Sequence, residues 1–565
     1  MDTLEQIATE VYEHTLARQP YFALRAGRQV QSIPTGALAE AEEEASFARG
    51  VLARLDGIDD GALSPLDRDT LGYLRHTLAD QAGAAERWWW AFPVAPYQTT
   101  ALSLLGPQLF GASVFEGGDD VERYLSLITD VRDLLLAMPG KLEAQRERGW
   151  TLPGPAVDGF IATVRGHRAG LPPQLVVGPD RLERLSDQDR RQVADGVPRF
   201  VTGELLPAFD AILDELEGPG RRTAVDGVGM AGYPGGEDAY RKLVSHYATF
   251  DISPEEVHRT GLERVAELTD RMAKVRAEIG FGGDEDAYAE VLRADPRFHA
   301  ATPEDVAATY ERHIAGVEQV VDRFFAVRPE APYGVQRLDP SLEAGMTFGY
   351  YEVPTPGIPV GRYRFNGSAL DTRSQINAAA IILHELVPGH HFHLARQAED
   401  EALPRLRAEV APLHLGAFTE GWAEHAANLG FEMGSYDDPW DRYGALVHQR
   451  FIAQRLVVDT GMNALGWSLE RARDYMSRMT MESPAQVATE TLRYSTDRPA
   501  QALGYGLGFL EFTRLREDAR QRLGGAYHDR DFHEVVLGPG SLPLAVVARN
   551  VEEWVAGGGG GGGGG

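Results

Sequence analysis

From Ala378 to Gln397 the chain reads A-A-A-I-I-L-H-E-L-V-P-G-H-H-F-H-L-A-R-Q, and here residue types and spacing could do chemistry. An apolar, alanine-rich lead-in, expected to be helical, delivers His384 and Glu385. His390, His391 and His393 follow closely, and Glu420 opens a second helical run, E-G-W-A-E-H-A-A-N-L. Imidazoles beside a carboxylate on a buried helix, with a further carboxylate downstream, are the donor set of a hydrolytic zinc site.

The spacing is unusual. A zinc-protease helix commonly sets two histidines four residues apart, with glutamate after the first as general base. Here Pro388 stands four after His384. On an undisturbed helix His390 lies ~240° round from His384, and His391 regains the same face only ~10 Å along the axis. Pro388 cannot donate to the carbonyl four back, and Gly389 tolerates unusual dihedrals. The Pro-Gly pair is therefore expected to bulge and bring His390 to the second-ligand position, with His391 as the fallback. The bland alternative is a kinked core helix whose histidines are hydrogen-bonded. Clusters like this are costly to bury without a metal or a reaction.

Glu420 is the expected third ligand, leaving one coordination position for water, as a catalytic zinc requires. Zinc is the expected ion, with Mn and Co as alternatives. Glu424, one turn on, could orient a ligand histidine, and His425 is assigned to the substrate side. Glu385 would take a proton from the attacking water and return it to a leaving amine. Tyr505, after a Gly-rich turn, is the first candidate to meet the developing oxyanion. Arg493, Tyr494 and Arg498 form a basic, aromatic patch that could clamp a substrate carboxylate.

The elements that must position these residues are helical. Asp2–Arg18, Ala37–Leu55, Asp119–Arg148, Ser186–Glu217 and Gly236–Phe250 carry helical apolar spacing, and Ser64-Pro65, Ser253-Pro254, Thr302-Pro303 and Ser483-Pro484 read as capped starts. Trp88, Trp89 and Trp90 are adjacent, so they cannot all face one way; core packing is the default, with one indole free for a cleft. Thr347–Val353 and Gly361–Asn366 alternate and are aromatic-rich, predicting an antiparallel strand pair just before the histidine helix. The fold class is mainly α: one large unit over residues 1–556, in two lobes around a deep central cleft, with the catalytic motifs in 345–545. Gly557–Gly565 reads as a flexible, low-complexity tail.

Composition sets limits. The chain has 565 residues, no cysteine and a formal net charge of -29. Thiolate ligands and disulfides are excluded, and so acidic a surface disfavours nucleic acid and anionic lipid. No apolar run reaches membrane-spanning length and the amino-terminal residues lack a signal-peptide pattern, so a cytoplasmic location is expected.

The runs H-E-L-V-P-G-H-H, T-E-G-W-A, R-L-V-V-D-T-G-M, R-P-A-Q-A-L-G-Y-G-L-G and D-R-D-F-H-E-V-V-L-G-P-G-S-L-P-L together resemble the bacterial family called domain of unknown function 885. The resemblance covers most of the chain and is strongest from about Tyr350 to Leu544. That family is similar to helical zincin-like metallopeptidases such as angiotensin-converting enzyme and carboxypeptidase Taq, which implies a zinc-dependent, peptidase-like hydrolase. The resemblance keeps His384, Glu385, His390, His391, Glu420, Arg455, Asp459, Gly461, Gln501 and Tyr505. Departures are Asn463 in place of a histidine, His425 and Ala427 in place of tyrosine and glutamate, and Ala500 in place of a glycine. The expected substrate is a peptide or small amide. A metal-dependent lyase or specialised hydrolase of a small metabolite is the alternative, and a non-catalytic metal-stabilised binding protein comes third.

Overall fold

The structure, a computed structural model, describes residues 3–559 except 97, 100, 101, 103, 104, 344–348, 356 and 357. It is mainly helical, with one three-stranded sheet. The capped starts form for a local reason. Ser64, Ser253, Thr302 and Ser483 each accept from the backbone N–H three residues on, satisfying a donor that a helix start otherwise leaves open. One long helix, Gly154–Leu175, escapes the sequence reading. Its glycines and Pro172-Pro173 lower local propensity, and packing of Ala156, Val157, Phe160, Ile161 and Val164 into a core holds it instead.

Buried side chains gather in three cores. The first joins the two ends of the chain to the histidine segment, setting Leu4, Ile7 and Val11 among Leu383, Phe418, Trp422, Val547 and Val551. The second fills the region from Phe92 to Val257 and takes in Leu456, Leu503 and Leu507. The third packs the helix Pro254–Ile279 against Pro439–Asn463.

Pro439–Asn463 is buried on almost every face, yet it carries Arg450, Gln454, Arg455, Asp459 and Asn463 inside. Buried charge persists only where it is paired or hydrogen-bonded. Arg450 pairs with Glu285, and Arg455 pairs with Glu490 at 3.3 Å. Asp459 accepts from Tyr240 Oη at 2.7 Å and from the Ala500 amide at 3.1 Å. Asn463 donates to the Tyr494 carbonyl and accepts from the Met230 amide, so it serves as a structural bracket.

Burial pushes the Asp459 carboxyl up to about 7, against hydrogen bonds that favour the anion. The folded protein therefore keeps a proton that the unfolded chain releases near pH ~4. This contribution to stability is complete below about pH 4 and is lost as pH rises through about 7. Asp459→Asn should flatten the decline of Tm between about pH 5 and pH 8. An unchanged slope in thermal melts would contradict the assignment.

The sheet corrects one expectation. The antiparallel pair is β2 (Tyr350–Glu352) and β3 (Gly361–Phe365), with Tyr351 opposite Tyr363; Thr347 and Phe348 lie outside the described residues. β1 (Tyr333–Arg337) adds in parallel to the other side of β3, so the sheet is mixed, in the order β1-β3-β2. A parallel partner leaves no hairpin signature, and the adjoining Pro329–Pro332 joint disguised β1. β2 is thereby left at a sheet edge.

Gly557 and Gly559 donate back to Glu553 and Trp554 and close the last helix, Leu544–Ala556. The rest of the glycine run, 560–565, lies outside the described residues. No described helix is long and apolar enough to cross a membrane.

Candidate metal centre

The Pro-Gly insertion breaks the histidine helix outright. Ala378–Glu385 is helical, Leu386 leaves the helical region (φ -116, ψ -86), and helical geometry resumes at His390. The Val387–Pro388 peptide is cis. Trp422, fully buried, donates its indole N–H to the Pro388 carbonyl at 3.1 Å and pins the break. Gly389 is required by close approach, because a Cβ there would lie 1.8 Å from the His384 carbonyl oxygen. Gly389→Ala should displace His384 or His390, lower Tm by several degrees, and weaken metal binding at least about tenfold. Calorimetry with and without added zinc checks this.

Through that break, His384 Nε2 and His390 Nε2 come to 3.6 and 3.4 Å from Glu420 Oε2. One ligand atom from each lies within 4.8 Å of the others. These separations exceed a normal N–H···O bond, but tetrahedral zinc with ligand bonds of ~2.0–2.1 Å spaces its donors ~3.3 Å apart. The donor set therefore fits one zinc-sized ion. Burial alone would raise the Glu420 carboxyl, yet the two imidazoles hold it well below the usual range. Burial likewise opposes charge on His384, yet Glu424 and Glu420 hold it well above the usual histidine value.

Glu424 Oε1 lies 3.2 Å from His384 Nδ1, and His448 Nε2 lies 3.0 Å from Glu424 Oε2. Glu424 thus sits between two imidazoles and orients His384 from behind. His384, Glu424 and His448 also bring ligand atoms within 4.8 Å of one another. Sequence reasoning missed His448, since it arrives on the helix Pro439–Asn463 and nothing in its local sequence marks it. Glu424→Gln should weaken metal binding roughly 10–100-fold, measured by competition with a chromophoric chelator.

Glu385 faces the same space. Burial raises its carboxyl, opposed by His384 and His390, and no hydrogen bond or ion pair reaches it among the described residues. The space is a cleft of about 910 Å³ lined by this cluster, Gly349–Val353 around edge strand β2, Arg455, Glu482, Glu490, Arg493 and Tyr505. Tyr505 comes close because its helix, Leu503–Leu523, packs glycine to glycine on the Glu420 helix, Gly416–Met433. A Cβ on Gly421 would lie 2.4 Å from Gly508 Cα. The Arg455 guanidinium sits 4.5 Å from the centre of the Tyr505 ring, and burial raises the phenol, keeping it protonated.

Other expected site residues are placed elsewhere. His391 has both ring nitrogens engaged, with Tyr351 Oη at 2.8 Å and the Ala331 carbonyl at 2.9 Å; it braces the sheet against the break and does not join the metal group. His393 is buried against Gln397 and Ser541. His425 is a correction. It lies ~100° round the helix from Glu424 and is buried against Trp422, Phe512 and His533, away from the cleft. Tyr494 is fully buried with its hydroxyl on Glu490, and it does not line the cleft. Arg498 lines a different cavity. Arg493 does line the cleft, but it is tied to Glu490 at 3.2 Å and Gln501 at 2.7 Å. Of the expected basic patch, only Arg493 reaches the site.

Residues 20–551 match the family described as bacterial protein of unknown function (DUF885). The chain belongs to this family. A crystal structure from Colwellia psychrerythraea, provisionally described as a lipoprotein, is similar to this DUF885 chain at TM-score 0.84 and 22% identity, covering 99% of this chain and 100% of the other. A structure from Shewanella oneidensis, provisionally described as a lipoprotein of unknown function, matches at TM-score 0.74 and 16% identity, over 97% and 99% of the two chains. Both likenesses speak to the fold alone. A protein from Bacillus anthracis provisionally described as an oligoendopeptidase F, at TM-score 0.28 and 12% identity over 92% and 96% of the chains, is too dissimilar to carry an argument. No curated protein matches.

Proposed function

We propose that this DUF885 protein is a metal-dependent hydrolase that cleaves an amide bond in a peptide, with His384, His390 and Glu420 holding one divalent ion. Zinc is the first choice, with Mn and Co as alternatives. The supporting observation is the convergence of two imidazole nitrogens and one carboxylate oxygen at zinc-like spacing, beside an unpaired Glu385 in a cleft. The resemblance to zincin-like peptidases agrees with this reading.

A divalent ion held there supplies Lewis acidity, polarising a carbonyl and making a water more acidic. The rest falls to the chain. Glu385 accepts the proton of the attacking water and returns it to the leaving amine. Tyr505 donates a hydrogen bond to the carbonyl oxygen as negative charge develops. The open edge of β2 offers main-chain donors and acceptors to an extended substrate. Because Arg455 and Arg493 both answer to Glu490, a clamp on a terminal carboxylate is weakened, which favours internal cleavage over carboxypeptidase action.

A second reading, a lyase or specialised hydrolase acting on a small metabolite, draws on Glu482, a further cleft carboxylate that burial pushes up to about 7. Digestion of a peptide library by the zinc-loaded protein, alongside a small-molecule product screen, separates the two. New peptide amino termini support the first reading, and their absence beside a turned-over metabolite supports the second. A non-catalytic metal-binding role leaves Glu385 without a purpose. We likewise propose a cytoplasmic location; recovery of the protein in a membrane or extracytoplasmic fraction would refute it.

A further inference from the structure

A second cavity, of about 520 Å³, lies beside the cleft, and Leu413 lines both. It is built by elements far apart in sequence, among them Pro65–Gln81, Gly118–Glu147 and Gly236–Ala248. Its carboxylates are already engaged. Glu40 accepts from the amides of Thr35 and Gly36, Glu44 faces His14 at 2.7 Å, and Asp80 holds Arg87 at 2.9 Å.

Lys141 is different. It lines the cavity with its ammonium 5.0 Å from the centre of the Trp88 ring, and it forms no ion pair among the described residues. Burial lowers it to about 8, so it remains largely cationic at neutral pH. A half-buried ammonium without a carboxylate partner is unexpected in a chain of net charge -29. Charged groups taken from water ordinarily find partners, so an unpaired ammonium facing an open space calls for an anionic occupant. The exposed part of Trp88 adds an aromatic wall.

We propose that this cavity is a binding site for a small organic carboxylate, with Lys141 meeting the anion and Trp88 packing against the remainder. The site is separate from the metal centre and does not depend on the function proposed for it.

The test uses the full, zinc-loaded chain and two probes of nearly equal shape, benzoate and uncharged benzamide, in calorimetric and saturation-transfer NMR titrations. Benzoate should bind saturably with a Kd on the order of 1 mM or tighter, and benzamide at least about tenfold more weakly. Lys141→Met, which keeps the apolar stem, should weaken benzoate about tenfold or more, and Glu420→Gln should leave it unchanged. Should Lys141→Met fail to fold, Trp88→Leu, which removes the aromatic wall, should weaken benzoate binding in the same direction. The proposal is overturned by absence of saturable benzoate binding, by equal binding of benzamide, by indifference to the cavity variants, or by loss of binding in Glu420→Gln, which would place the anion in the cleft.

Discussion

Glu385→Gln should keep its metal and lose turnover by about 10²–10⁴-fold. The amide preserves the shape of the carboxylate but cannot accept a proton at neutral pH. Glu385 is not one of the three converging donors, so elemental analysis should still find about one ion per chain. A purely structural glutamate behaves differently, because its loss would move Tm and metal content together and spare the chemistry. Measured on any substrate from the library digest, activity within about tenfold of the unaltered protein removes Glu385 from the role of base. It would leave the metal assignment standing.

The complementary change removes the ion. His384→Ala should cut metal affinity by more than about 100-fold, beyond the roughly 10–100-fold expected from an outer partner such as Glu424. It also withdraws the imidazole that lies between two carboxylates, the part-buried Glu420 and the buried Glu424. Uncompensated buried charge typically costs ~3–5 kcal/mol, so Tm should fall even without metal. Glu420→Gln separates the two effects. It deletes a ligand charge in nearly the same shape while leaving Glu424 on His384, and should lose the ion with a smaller fall in the apo-protein's Tm than His384→Ala gives. Metal retained at full stoichiometry in both variants would sink the site altogether.

Most helices were legible from local pattern, because caps and 3.6-residue periodicity are near-neighbour effects. Ser253 and Thr302 state their helix starts within four residues. Gly154–Leu175 and β1 were illegible for the opposite reason. One is held by packing against its own propensity, and the other pairs in parallel with a strand that follows two intervening segments.

The site divides along the same line. His384, Glu385, His390 and Glu420, and the need for a backbone break at Pro388-Gly389, could be named from residue types and spacing, since proline and glycine act on their own few bonds. Which imidazole turns toward Glu420 depends on the dihedrals after the break and on Trp422 gripping Pro388. His448 reaches Glu424 only because a buried helix from later in the chain crosses there. His425 faces the core and Arg493 is neutralised by Glu490, both through partners that no local pattern announces. The sequence by itself determined the chemistry on offer: donors without thiolates, a base beside a ligand, and a helix that cannot run straight. Tertiary structure alone decided which donors meet, because convergence is set by the packing of helices distant in sequence, and that packing depends on shape across the whole core.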